Sequence, residues 1–286
     1  ARTNAKQKLM TSTIDKYCLF GNPVEHSKSP RIHMRFAELT GQHLVYDKVC
    51  APVDGFAQAV AAFRALGGRG CNITVPFKLQ VAALATEVTQ RAQLAGACNI
   101  LKFDGDQVLA DNSDGQGLVR DITLNAGFDL QGRDVLLIGG GGAAAGVLGP
   151  LTACKPRRIL VANRTLTKAA HIVQVHAGFS AQHQVDVSAC DLHNITDSFD
   201  LVINSTSASL TGGGVPVPAS VLRKGALAVD LMYGPASQGF MQWANDNGAS
   251  AIDGLGMLVE QAAEAFYVWR GVMPPASVVM AELRQG

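Results

Sequence analysis

Short branched-aliphatic runs alternate with amphipathic stretches along most of this chain, and that alternation predicts its elements. In the front half, strands are predicted at 17–21, 43–49, 70–74, 99–103 and 108–110. Between them a helix opens at Pro30 with Ser29 as its N-cap and runs to about Leu39, and Asp54 opens another that runs to Leu66. A further helix follows Pro76-Phe77-Lys78, and one more ends near Leu94. From Asp114 a linking helix carries the chain towards Asp134, after which strands recur at 135–138, 159–162, 201–204, 227–231 and about 249–252. Two last helices, 257–270 and 276–283, have no strand left to cover in the rear half, so they are expected to pack back across the front one. Strand and helix in alternation mean open, mostly parallel sheets. The stretch 210–218, with three glycines and two prolines, reads as a flexible loop.

The rear half begins with a recognisable turn. Val135 to Ile138 runs straight into Gly139, Gly140, Gly141 and Gly142, followed by Ala143, Ala144 and further small residues. Strand, glycine turn and helix form a place for a dinucleotide pyrophosphate, because glycines admit close backbone approach and the helix N-terminus faces negative charge. A turn in any buried strand-helix unit would look similar. The next strand ends at Asn163-Arg164-Thr165, with Lys168 following, where an NAD enzyme of this fold carries an acid for the ribose hydroxyl. A guanidinium there suits a 2′-phosphate, so NADP is favoured over NAD. The alternative is that Thr165 only caps the next helix and Arg164 is solvated.

Composition narrows the class further. The 286 residues are 48% hydrophobic and 16% charged with net charge +1, which describes an ordinary well-cored protein of one large or two medium domains. No basic run marks a nucleic-acid or acidic-membrane surface. The uncharged window 135–154 holds six glycines and a proline, fitting strand, turn and buried helix better than a membrane span. Six scattered cysteines without a C-x-x-C pair read as reduced, buried thiols of a cytoplasmic protein, and the histidines lack metal-site spacing, so no metal is expected. Residues 1–13, polar and basic at the start, read as a disordered lead or an expression remnant.

Four polar clusters in the front half suit a small polyhydroxylated acid. Ser27 and Ser29 stand at a helix entrance, where hydroxyls and backbone N–H groups can meet a carboxylate, although Ser29 taken alone reads first as a helix cap, which is compatible with that role. Asn72 and Thr74 share one strand face, and Lys78 follows on the predicted first helical turn, against the dipole preference. Asn99 begins a strand, and Asp111-Asn112-Ser113-Asp114-Gly115 packs two acids and an amide into a turn that is by itself an ordinary turn.

N-P-V-x-H-S-K-S-P, N-I-T-V-P-F-K, D-N-S-D-G, the glycine loop, N-R-T and D-G-L-G-M-L-V-x-Q-A, collinear from about residue 16 to the end, together resemble the shikimate dehydrogenases. The resemblance implies an N-terminal α/β substrate domain (14–113 plus 254–286) and a Rossmann-type NADP-binding domain (114–253), with a cleft between them. It implies reversible NADPH-dependent reduction of 3-dehydroshikimate to shikimate, towards aromatic amino acids, in a cytoplasmic monomer or homodimer. Carried over by motif, Lys78 and Asp114 are the catalytic pair, and Ser27 and Ser29 hold the carboxylate with Tyr233 as helper. Asn72, Thr74, Asn99, Asp114 and Gln261 bind the ring hydroxyls. Cofactor contacts fall on Gly139 to Ala144, Asn163, Arg164, Thr165, Lys168, Thr206, Ser207, Gly254 and Met257. Gly140, Ser113 and Met232 stand where the family commonly has alanine, threonine and an aromatic residue. Other readings are a broader quinate/shikimate dehydrogenase, a slow paralogue, a non-catalytic NADP-binding regulator, and a methylenetetrahydrofolate dehydrogenase-like enzyme.

Overall fold

The computed structural model describes residues 14–207 and 214–285. The lead expected at 1–13 lies outside the described residues, as does the part of the expected loop at 210–213.

The front unit runs β1 (Asp15–Gly21), α1 (Ser29–Thr40), β2 (Leu44–Cys50), α2 (Phe56–Ala65), β3 (Gly68–Ile73), β4 (Glu87–Val88), α3 (Gln90–Ala95), β5 (Ile100–Asp104) and β6 (Gln107–Asp111). Its sheet has the order β2-β1-β3-β5-β6-β4, and only β5 runs against its neighbours. One local expectation fails here. The segment after Pro76 is not an α-helix but a series of turns ending in a short 3-10 turn, Val81–Leu84. Its backbone is engaged elsewhere, since the N–H of Cys98 donates to the carbonyl of Lys78 at 3.0 Å. Lys78 therefore opposes no helix dipole.

The rear unit runs α4 (Asp114–Arg120), which passes into a π-turn (Asp121–Asn125), then β7 (Asp134–Ile138), α5 (Gly142–Ala153), β8 (Arg158–Asn163), α6 (Leu166–His183) and β9 (Asp186–Asp191). It continues with β10 (Phe199–Asn204), β11 (Leu222–Asp230), α7 (Gln238–Asp246) and β12 (Ser250–Ile252). Its all-parallel sheet, β12-β11-β10-β7-β8-β9, reverses direction of growth between β7 and β10, where such sheets open a ligand crevice. The periodicity misses edge strand β9, which is half-exposed, as well as two-residue β4 and helix α7. Strand β11 also begins five residues earlier than expected.

Helices α8 (Leu255–Arg270) and α9 (Ala276–Gln285) return to the front sheet. Val259, Ala262, Ala263 and Phe266 of α8 share one core with Tyr17, Leu19, Phe36 and Ile100. Burying a large apolar side chain such as Val259 or Phe266 yields about 1.5–3 kcal/mol, which explains why both helices leave the unit that precedes them.

Helix α4 sits where the two units meet, and its glycines permit the approach. Pro150 of α5 lacks the N–H that would bond the carbonyl of Gly146, and that carbonyl lies where a side chain on Gly115 would be. On the other side, a Cβ on Gly117 would stand 2.7 Å from the backbone nitrogen of Gln261 and 2.8 Å from the carbonyl of Met257, both on α8.

Two buried histidines give the fold an acid limit. His33 of α1 lies flat against Tyr46 at 4.4 Å between ring centroids, and burial pushes its pKa from 6.5 down to about 3. Burial likewise lowers that of His176, on α6. The folded state refuses protons that the unfolded chain accepts below pH 6.5, so these groups favour folding above that value and cost stability as pH falls below it. Each proton refused gives a slope of about 1.4 kcal/mol per pH unit. Thermal melts are expected to fall between pH 6.5 and 4.5, above the main carboxylate range, with a shallower fall in His33→Phe. An unchanged slope in that variant would contradict the assignment.

Candidate active site

A cleft of about 360 Å³ opens where the two units meet. The front unit supplies Ser27, Ser29, Thr74, Lys78 and Asn99, the crossover into α4 supplies Asp114, α8 supplies Met257 and Gln261, and Leu231, Tyr233 and Gly254 close the far side. Its centre is an ion pair, Lys78 Nζ to Asp114 Oδ2 at 2.6 Å, with both side chains about a quarter exposed.

Asn99 holds that pair in place. Its Oδ1 accepts from the backbone N–H of Ser113 at 2.9 Å, which fixes the orientation of the amide. Its Nδ2 then faces Asp114 Oδ1 at 2.9 Å, the Ser113 hydroxyl at 3.1 Å and Gln261 Oε1 at 3.3 Å. One carboxylate oxygen of Asp114 is thus committed to Asn99 and the other to Lys78. The turn itself is tied from within, because Asn112 Oδ1 accepts from the N–H of Asp114 at 2.9 Å and Asn112 Nδ2 donates to the carbonyl of Ala97 at 2.9 Å.

Asn72 lies a layer behind this wall and is 6% exposed. Its Nδ2 donates to the carbonyl of Asn99 at 3.1 Å, and its Oδ1 accepts from the hydroxyl of Tyr46 at 2.8 Å. Ser29 is not the N-cap of α1 either. Lys28 occupies that position, Ser29 begins the helix with Pro30 next, and the hydroxyl of Ser27 accepts from the N–H of Ser29 at 3.2 Å. Ser27 therefore satisfies that helix-entrance donor, and the buried Ser29 borders the cleft.

The nucleotide side is built from the glycine loop. Gly139 has φ +133, a conformation that side chains rarely adopt, and a Cβ there would strike the Ser205 hydroxyl. A Cβ on Gly140 would meet the Asn163 amide at 2.8 Å, whereas at Gly141 and Gly142 there is open space within 4 Å. That open space lies at the N-terminus of α5, whose first turn carries no acid, so phosphate can approach the backbone N–H groups. Asn163 Nδ2 donates to the carbonyl of Thr165 at 3.0 Å and shapes the turn after β8. Thr165 sits at the N-cap of α6, but its hydroxyl makes no capping bond, so capping does not account for it. Arg164 and Lys168 are exposed and have no ion pair among the described residues. Thr206 bonds Asn204 Oδ1 through its hydroxyl at 2.7 Å, at the end of β10, and Ser207 is exposed beside it. These residues fit a phosphorylated dinucleotide.

Tyr46 escaped the reading of the chain, since it carries no distinguishing spacing and only the fold brings it beside Asn72, just as only the fold sets Ser113 of the D-N-S-D-G turn beside Gln261. No helix among the described residues is long and apolar enough to cross a membrane.

Two α/β units, one with a glycine-loop crevice, that meet at a cleft holding a lysine-carboxylate pair drawn from both define a two-domain dinucleotide-dependent oxidoreductase. Comparison with known proteins gives the family. The shikimate dehydrogenase substrate binding domain matches residues 19–101, the shikimate / quinate 5-dehydrogenase domain residues 122–212, and the shikimate 5′-dehydrogenase C-terminal domain residues 254–284. A shikimate dehydrogenase (NADP(+)) of Acidovorax sp. is 60% identical over 96% of this chain and 98% of its own. Among solved structures, an Ael1 enzyme from Pseudomonas putida is 43% identical with a TM-score of 0.88, covering 94% of this chain and 98% of that one. Shikimate 5-dehydrogenase from Thermus thermophilus, in complex with NADP(H) and shikimate, is 27% identical with a TM-score of 0.82 over 95% of this chain and 99% of that one. The chain belongs to the shikimate dehydrogenase family.

Proposed function

We propose that this protein interconverts shikimate and 3-dehydroshikimate with NADP, using Lys78 and Asp114 as its catalytic pair. The observation that carries the reading is their 2.6 Å contact on a cleft that also presents Ser27, Ser29, Thr74, Asn99 and Gln261. Residues 14–113 and 254–286 form the substrate domain and 114–253 the NADP domain in this reading.

The bound nicotinamide supplies or accepts the hydride. The chain supplies the rest. When the ketone is reduced, negative charge grows on its oxygen, and the ammonium of Lys78 stabilises it and gives it a proton. Asp114 keeps that ammonium in place and accepts from a neighbouring ring hydroxyl. In the reverse direction, neutral Lys78 takes the alcohol proton. Ser27, Ser29 and the N-terminus of α1 hold the carboxylate, with Tyr233 across the cleft, while Thr74, Asn99 and Gln261 bind ring hydroxyls. Asn72 serves by holding the backbone of Asn99. The glycine loop with Ala143 and Ala144 receives the pyrophosphate, and Asn163, Arg164, Thr165 and Lys168 grip the adenosine 2′-phosphate. Thr206 and Ser207 would contact the cofactor after β10, and Gly254 and Met257 would flank its nicotinamide.

Initial rates of NADPH formation with shikimate and quinate, each with NADP and NAD, test this. Fast turnover confined to shikimate and NADP is expected, comparable quinate rates would make it the broader enzyme, and no turnover would overturn the reading. Arg164→Ala should raise KM for NADP by roughly tenfold or more and leave KM for NAD nearly unchanged, since only the 2′-phosphate loses a charge-assisted partner. Equal effects on both cofactors would contradict the role given to Arg164.

A further inference from the structure

We infer that Arg91, outside every motif that marked the site, is a positioning residue that locks three substrate-facing side chains into one geometry. The inference rests on the dehydrogenase function proposed for the cleft. Arg91 lies in the first turn of α3, and its guanidinium grips Asp111 in a two-point fork, Nε to Oδ1 at 2.8 Å and Nη2 to Oδ2 at 2.6 Å. Its third arm, Nη1, reaches Glu264 of α8 at 2.9 Å. The Asp111 side chain is almost fully buried, so its charge depends on these partners.

Asp111 is where the site's bonds converge. Its Oδ1 also accepts from the hydroxyl of Thr89 at 2.6 Å and from the N–H of Asn112 at 2.7 Å, while its carbonyl accepts from the N–H of Asn99 at 3.0 Å. Asn112 in turn fixes the N–H of Asp114. One residue thus holds the backbone of Asn99 and the start of the turn that presents Asp114. Through Glu264, less than one helical turn beyond Gln261, Arg91 ties both to the helix that carries Gln261. Asn99, Asp114 and Gln261 come from separate segments, and the Asn99 amide lies within 3.3 Å of each of the other two side chains. A planar fork with a free third arm suits this task, whereas a lysine ammonium can hold one partner firmly but not the whole set.

The test compares Arg91→Lys with wild-type protein in steady-state kinetics, thermal melting and the pH profile of kcat. Arg91→Lys is expected to keep its fold and its KM for NADP, to lose on the order of tenfold to a hundredfold in kcat, and to show a shifted pH profile, because the Lys78–Asp114 pair is misplaced. Wild-type kcat, KM and pH profile in a variant that merely melts earlier would overturn the positioning role. Should Arg91→Lys fail to fold, Glu264→Ala removes only the arm to α8. It is then expected to raise KM for shikimate several-fold with KM for NADP unchanged, and an unchanged KM for shikimate would overturn the inference. Wild-type protein inactive on shikimate with NADP would instead overturn the dehydrogenase reading on which this rests.

Discussion

Lys78→Ala is expected to lower kcat by about a hundredfold to ten-thousandfold, the usual worth of a positioned proton donor, while NADP binding stays near wild type. The ammonium stands 2.6 Å from Asp114, on a cleft whose lining includes none of the glycine loop, so its loss removes charge stabilisation and proton transfer without touching the nucleotide crevice. Asp114 keeps its bond to Asn99 at 2.9 Å and remains in place, so the variant is expected to stay folded. Stopped-flow or steady-state rates, set beside cofactor titration by fluorescence, separate the two quantities. Near-normal turnover would sink the assignment of Lys78.

Gly256→Ala is expected to cost about 3 kcal/mol of stability, at the upper end for forced overpacking. That corresponds to a fall in melting temperature of roughly 6–12 °C for a chain of this size. The Asp121 carboxylate, itself buried, occupies the place a Cβ on Gly256 would take. Burial raises the pKa of Asp121, and Asn125 Nδ2 bonds its Oδ1 at 2.9 Å, so it cannot swing into water without abandoning that partner. The double variant Gly256→Ala with Asp121→Ala should be more stable than the sum of the single losses, since the clash exists only when both groups are present. Purely additive losses would show that the contact is not the cause. Gly254, two residues earlier, is constrained in the same way by the carbonyl of Leu231, so both glycines of D-G-L-G answer to close backbone or carboxylate approach.

Much of the site is legible in short stretches. Lys78, Asp114, Ser27, Ser29, Thr74 and Gln261 belong to local motifs, Asn99 begins a predicted strand, and all of them line one cleft. The glycine loop is legible for a local reason as well, since strand, turn and helix succeed one another within a short span. Failures occur where a distant partner overrides local pattern. Residues after Pro76 turn instead of coiling because the carbonyl of Lys78 bonds Cys98. Ser29 yields the cap position because Lys28 takes it and the Ser27 hydroxyl meets its N–H. Strand β9 escapes notice because its short alternation, Asp186-Val187-Ser188-Ala189, buries none of its residues fully, as befits an edge strand.

By itself the amino-acid order determined two alternating α/β units, the nucleotide turn and its basic follow-up at Arg164, and the residue types of the proposed catalytic pair, because each depends on neighbours within one element or one turn. Tertiary structure alone decided that Asn72 stands behind Asn99, that Gly117 and Gly256 admit close packing around α4 and α8, and that Arg91 joins Asp111 to Glu264. Arg91 and Glu264 are 173 positions apart. A hydrogen bond or ion pair over such a span leaves no period in the chain, and only the burial of apolar faces that brings α8 back across the front sheet creates it.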